Sequence, residues 1–292
     1  MPISLKLAGH PTDLGGGMVV RRLLPAARLR SVGPFVFFDH FGPMVQHAGA
    51  NHDVRPHPHI GLATVTYLFE GAMMHRDSLG AAQRIEPGAI NWMNAGSGIV
   101  HSERTPSELK DVDRPLHGLQ LWVALPQASE ESTPTFVHTP ADQLRQLQRG
   151  DARVRVLVGE AFGVRSGVIT ASPTLYLDIK LRAGAAFELP RLADEMALYG
   201  VDGDLRVDGQ ALAAHELALI EPAERTLIEC EAATRLVIIG GAPLDGPRFM
   251  WWNFVSSRKE RIAQAAKAWA EGHMGGVPGD AEFIPLPDKP LP

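Results

Sequence analysis

The chain has 292 residues, of which 45% are apolar and 21% charged, a balance that supports a large core and lies outside the range of disordered chains. Its 29 glycines and 23 prolines exclude a long helical bundle or coiled coil. A net charge of -5 without a Lys/Arg cluster argues against nucleic acid as a direct partner, and the single Cys230 excludes an internal disulfide or a thiolate metal cage. No basic stretch leads into an apolar segment at the N-terminus, and no apolar run approaches the ~20 residues that span a bilayer, so the expectation is a cytoplasmic protein without a membrane partner.

Taken in chain order, short runs rich in β-branched and aromatic residues, separated by Gly, Pro, Asn and Asp, predict strands joined by turns. They include Gly17–Val20, Phe35–Phe38, Ala63–Phe69, Leu119–Leu125, Val154–Val158, Leu175–Leu181 and Arg235–Ile239. Leu175–Leu181 alternates strictly, which predicts one wet face. Two stretches predict helix: the short, polar Ala141–Arg149, and Ser257–Gly272, which sets Ile262, Ala265, Ala266 and Trp269 on one face and ends on Gly272. The Pro-rich tail after Gly275 is expected to run extended over the surface.

A weak internal repeat is visible. Tyr67-Leu68-Phe69-Glu70-Gly71, followed by Arg84-Ile85-Glu86-Pro87-Gly88, has a counterpart in Tyr199-Gly200-Val201-Asp202-Gly203, followed by Leu219-Ile220-Glu221-Pro222. The fold class expected is all-β, two tandem antiparallel β-barrels with a C-terminal helix. The expected division is an N-terminal barrel over 1–130, a linker over 131–150, a second barrel over 151–245, and a C-terminal strand, helix and extended tail over 246–292.

Twelve histidines are unevenly placed: nine fall between His40 and His138, and beyond residue 150 there are only His215 and His273. His57-Pro58-His59 opens a strand, whose period of two puts both imidazoles on one face. His101-Ser102-Glu103 repeats the device with a carboxylate. Three imidazoles and one carboxylate form a sulfur-free site suited to iron(II), manganese, cobalt, nickel or zinc, with positions left open for water, dioxygen or substrate. Aligning Gly203 with Gly71 puts Leu189 and Arg191 at the places of His57 and His59, so the second barrel is expected to bind no metal there.

His57-Pro58-His59, Thr64-Val65-Thr66-Tyr67-Leu68, Glu70-Gly71, Trp92-Met93, Ala95-Gly96, Gly98-Ile99, His101-Ser102-Glu103 and Pro247-Arg248 resemble the pirin family of the cupin superfamily. The resemblance runs from about Leu23 to Trp269. It implies a bicupin with one metal, iron(II) first, held in the N-terminal barrel by His57, His59, His101 and Glu103. It further implies an activity like that of quercetin 2,3-dioxygenases, with a phenolic substrate and dioxygen as partners and Glu103 taking the substrate's hydroxyl proton. A non-enzymatic, redox-sensing regulator with a protein partner is the alternative, and a cupin isomerase or small-molecule binder is a third. Where the family commonly has Arg-Gly-Phe-Glu after His-Pro-His, this chain has Ile60-Gly61-Leu62-Ala63, which leaves Glu103 to supply the carboxylate and predicts a more apolar wall near the metal.

Of the remaining residues, Asp39-His40 is expected to make a core or turn hydrogen bond, His47 and His52 to lie exposed in a loop, and His75 and His117 to be structural. Trp92 and Met93 share a strand of which one face meets the cavity. Trp251-Trp252-Asn253-Phe254 is expected to be buried between the barrels and the helix, and Cys230 to be a small buried hydrophobe.

Overall fold

A computed structural model describes residues 3–14, 18–221 and 223–291; Gly17 and Pro222, used above, lie outside them. The chain runs through β1 (Ile3–Ala8), β2 (His10–Asp13), β3 (Val19–Leu24), β4 (Phe35–Gln46), β5 (Val54–His59), β6 (Leu62–Glu70), β7 (Met73–Asp77), β8 (Ala82–Ile85), β9 (Ile90–Asn94), β10 (Ile99–Arg104), β11 (Arg114–Ala124) and β12 (Thr135–Thr139). There follow β13 (Gln146–Arg149), β14 (Ala152–Val158), β15 (Glu160–Ala161), β16 (Val164–Arg165), β17 (Thr174–Leu181), β18 (Ala186–Pro190), β19 (Glu195–Gly200) and β20 (Leu205–Val207). The chain ends with β21 (Gln210–Leu212), β22 (Glu216–Ile220), β23 (Arg225–Glu229), β24 (Thr234–Gly241), the hairpin β25 (Phe249–Trp251) and β26 (Phe254–Ser256), and α1 (Lys259–Ala270). No helix is long and apolar enough to cross a membrane among the described residues.

Two compact units emerge. One comprises the N-terminal residues to Pro11, Arg21–Phe37 and Asp142–Pro243; the other comprises Thr12–Val20, Phe38–Ala141 and the chain from Leu244 onward. Each is built from a seven-stranded and a four-stranded antiparallel sheet, open rather than closed into one continuous ladder. The sheets most of whose strands fall in the second unit have the orders β12-β9-β6-β11-β4-β3-β2 and β5-β10-β7-β8. In the first they are β1-β22-β19-β24-β17-β14-β13 and β18-β23-β20-β21. The two lists correspond position by position, which gives the weak sequence repeat a structural form. They also explain why the units depart from the contiguous division expected at 130–150: β1 occupies on the edge of β22 the place that β12 occupies on β9.

The expected linker over 131–150 contains the boundary between the units, between Ala141 and Asp142, but it also forms strands. It holds β12, paired with β9, and β13, paired with β14. The helix expected over Ala141–Arg149 is likewise replaced by a turn and β13, because a short polar segment has no apolar stripe to bury as a helix, whereas the free edge of β14 offers it a complete ladder. Leu175–Leu181 lies in strand β17, but of its second face only Lys180 is exposed. Tyr176 and Asp178 are buried there, Asp178 by an ion pair to Arg235 at 3.0 Å and Tyr176 by an edge-on contact with Phe35. The C-terminal helix forms as expected. Ile262, Ala265 and Ala266 are buried in a cluster with Ile60 and Phe254, which Trp251, Trp252 and Trp269 cover, and Gly272 follows the helix at φ +73°.

Candidate metal centre

Strands β5 and β10 lie side by side, with His57 directly opposite His101 and His59 opposite Ile99. This register sets three imidazoles on the inner face of the small sheet. The ring centroids are 4.4 Å apart for His57 and His101, and 5.0 Å for each pair that includes His59. One ligand atom from each of the three falls within 4.8 Å of the others, and all three side chains are buried. Glu103 stands outside that group. The ladder shifts register between His101 and Glu103, and Glu103 lies opposite Val54 on one side and His75 on the other; its Oε1 is shut off from solvent and has no hydrogen-bond partner.

The turn from β5 to β6 requires Gly61. Its φ is +69°, and a Cβ there would collide with the carbonyl oxygen of Val255. Beyond it, Thr64 is paired with Trp122 and Met93, and Met93 with Phe136. These side chains form the opposing wall: Trp122 meets His59 edge-on at 5.1 Å, and Phe136 stacks on His75 at 4.1 Å. One step further along the same face, Thr66 donates to Gln120 at 2.8 Å, and His138 Nδ1 lies 2.7 Å from Asn91 Oδ1. Of the pair Trp92 and Met93, it is therefore Met93 that faces inward. The apolar wall does not come from the departures at 60 and 63. Ile60 packs into the cluster of the C-terminal helix, and Ala63 lies on the face of β6 opposite to Thr64.

Hydrogen bonds fix the rings. His57 Nδ1–H donates to the carbonyl of Arg55 at 2.8 Å, and His59 Nδ1–H donates to the carbonyl of Asn253 at 3.2 Å. A carbonyl can only accept, so in both rings the lone pair is left on Nε2. Asn253 sits at the tip of the β25–β26 hairpin beside Trp252, which is held at φ +53°. His101 Nδ1 lies 3.4 Å from His75 Nδ1, and His75 Nε2 lies 2.9 Å from Asp77 Oδ2. His101 Nε2 is buried and without a partner.

Burial disfavours charge throughout this interior. It lowers His57 from its ordinary 6.5 to about 4. His59 and His101 are held well below 6.5 by burial and then by the neighbouring imidazoles. The same burial pushes Glu103 up from 4.5 to about 7. At neutral pH the three rings are therefore neutral and carry free lone pairs, the state in which imidazole binds a metal. The donor set of three such nitrogens, with two buried acceptor atoms unpartnered (His101 Nε2 and Glu103 Oε1), fits a divalent transition metal.

The expected structural role of His75 is incomplete, since it contacts a ring of the metal group. The sequence does carry a signal for it: His75-x-Asp77 is a third acid or imidazole pair at strand spacing, on the strand next to β10. His40 and His117 instead form a buried pair, Nε2 to Nε2 at 2.8 Å. His47 is in an exposed loop against Asp113, and Cys230 is buried. In the other unit, Leu189, which stands at the place of His57 under the alignment of the repeat, is paired across its ladder with Thr226 and belongs to a continuous apolar core.

Among proteins of known family, a model described as Pirin matches residues 17–123, and one described as the Pirin C-terminal cupin domain matches residues 176–275. A Pirin-like protein of Caulobacter vibrioides is 44% identical over 291 residues, covering 98% of this chain and 100% of that protein. Pirin of Homo sapiens is 33% identical over 271 residues, 90% of each chain. The crystal structure of a quercetin 2,3-dioxygenase from Acinetobacter baumannii matches at a TM-score of 0.91 and 33% identity, covering 98% of this chain and 95% of that one.

Proposed function

The chain belongs to the pirin family of bicupins, and from that premise we propose that it is a metal-dependent dioxygenase of the quercetin 2,3-dioxygenase type, acting on a flavonol-like phenol. The observation that carries the reading is the convergence of three neutral, buried imidazoles on one point, each with Nδ1 engaged elsewhere and Nε2 left free. His57, His59, His101 and Glu103 would hold one divalent metal, iron(II) first, with manganese, cobalt, nickel or zinc as alternatives. Such an ion supplies Lewis acidity for a phenolate and a site for dioxygen.

The remaining work falls to the chain. Trp122, Met93 and Phe136 form an apolar and aromatic wall suited to a flat aromatic ring system. Burial excludes bulk water. Glu103, whose buried Oε1 has no partner within the protein, is the carboxylate that would accept the proton of the substrate's enolic hydroxyl. The similarity to the Acinetobacter baumannii enzyme supports this chemistry over an isomerase.

The test is oxygen uptake and carbon monoxide release with quercetin, using protein loaded in turn with iron(II), manganese, cobalt and nickel. Consumption of one dioxygen per flavonol by at least one form is expected. If no form consumes oxygen while metal is bound, the dioxygenase reading fails and the regulatory alternative, in which metal state governs binding of a protein partner, takes its place.

A further inference from the structure

We propose that Asp77 and His75 are positioning residues that set the ring tautomer of His101, and through it the affinity of the site for metal; this rests on reading the three-histidine cluster as a metal centre. Asp77 is fully buried. Its Oδ1 accepts from the backbone N–H groups of Leu79 at 2.9 Å and Ala81 at 3.1 Å, so the carboxylate cannot rotate freely. Oδ2 is left facing His75 Nε2 at 2.9 Å. A carboxylate accepts, so His75 carries its proton on Nε2 and presents a lone pair at Nδ1. That lone pair receives Nδ1–H of His101 at 3.4 Å, which leaves Nε2 of His101 bare and directed at the other two rings. Phe136, stacked on His75 with an interplanar angle of 7°, fixes the plane in which the relay operates.

His101 differs from its two companions in this respect. The Nδ1–H groups of His57 and His59 are received by main-chain carbonyls, which no substitution can reverse. His101 depends on two side chains, so its tautomer is written in the sequence at 75 and 77. Asp77→Asn would invert the series. With Oδ1 kept by the two amides, the new Nδ2–H group faces His75 Nε2; His75 must then accept there and carry its proton on Nδ1. His101 is forced to accept at Nδ1 and to carry its proton on Nε2, the atom a metal would need.

The experiment uses the full chain, labelled with nitrogen-15 and freed of metal, and reads the imidazole nitrogens by NMR before titration with Co(II). Wild type is expected to show His101 protonated at Nδ1. Asp77→Asn is expected to move that proton to Nε2 and to weaken Co(II) binding by about 10–100-fold, the usual effect of removing a partner of a metal-bound histidine. Should that variant not fold, His75→Gln and His75→Phe carry the same test. Gln retains an acceptor and is expected to bind Co(II) more tightly than Phe, which keeps the stack on Phe136 and has none. Wild-type His101 protonated at Nε2, or Co(II) affinity within about twofold of wild type in both Asp77→Asn and His75→Phe, would overturn the proposal. Failure of wild type to bind Co(II) at all would overturn the metal reading, while the tautomer read in the metal-free protein decides this inference separately.

Discussion

Two kinds of buried titratable group sit in the same interior and respond to acid with opposite sign. A histidine whose pKa falls on folding binds fewer protons in the native chain than in the unfolded one, so its contribution to stability is present above 6.5 and is lost as the pH falls to its folded value. For His57 that window runs from 6.5 to about 4, worth about 3 kcal/mol at ~1.4 kcal/mol per pH unit. Glu103 runs the other way. Its folded value near 7 lies above its ordinary 4.5, so the penalty for its buried charge is complete above 7 and is relieved as the pH falls to 4.5, by up to about 3 kcal/mol. Between 6.5 and 4.5 the two slopes nearly cancel, and His59 and His101, also lowered, tip the metal-free protein toward acid instability. Glu103→Gln separates the contributions. Without metal the variant should exceed wild type in urea stability at pH 8 by up to about 3 kcal/mol, and the advantage should vanish by pH 4.5. An advantage that does not change with pH would show that burial of the carboxylate charge is not its cause.

At the scale of elements, the β25–β26 hairpin lies far from the ligands in sequence, yet it supplies the carbonyl that orients His59. What pins it is Glu130, almost wholly buried, which accepts from Ser256 Oγ at 3.0 Å, Ser257 Oγ at 2.7 Å and Ser257 N at 2.9 Å, with the buried Arg248 guanidinium at 3.8 Å. Glu130→Ala leaves the Ser256 and Ser257 donors without their acceptor, while Arg248 keeps Asp245 and the Leu125 carbonyl, and should lower stability by about 1–3 kcal/mol, with weaker Co(II) binding because Asn253 is no longer held against His59. Calorimetric unfolding of the metal-free and Co(II)-bound forms measures both, and an unchanged midpoint would refute the clasp. None of this was legible in the sequence. His57, His59 and His101 were readable because strand alternation is local, and two residues at i and i+2 must share a face wherever the strand goes. Glu130, Asn253 and the relay through His75 depend on which strands become neighbours, a property of the folded ladder. Ala141–Arg149 misled for the same reason: its strand character comes from the edge of β14 and not from its own residues.

At the scale of the whole molecule, the correspondence between the two sets of sheets makes the first strand of the chain a component of the unit that holds residues 142–243. The edge of β9 is completed by β12, which follows ten residues after β11, whereas the edge of β22 is completed by β1, more than two hundred residues upstream, with Ile3 opposite Ile220 and Leu7 opposite Leu217. Ile3 and Leu7 are both buried, and burial of two such side chains is worth roughly 3–6 kcal/mol. Chain removed from the N-terminus should therefore be felt at the far end of the sequence. A form starting at His10 should leave the unit of residues 142–243 with an unpaired, apolar sheet edge. Its unfolding is expected at lower urea than that of the rest of the chain, with early proteolytic cuts confined to 142–243 and a tendency to associate through the bare strand. Co(II) affinity should stay within about twofold of wild type, because His57, His59, His101 and the groups that orient them all belong to the other unit. Cuts spread evenly over the chain, or a single unfolding step at the wild-type midpoint, would mean that β1 contributes nothing to the sheet it completes.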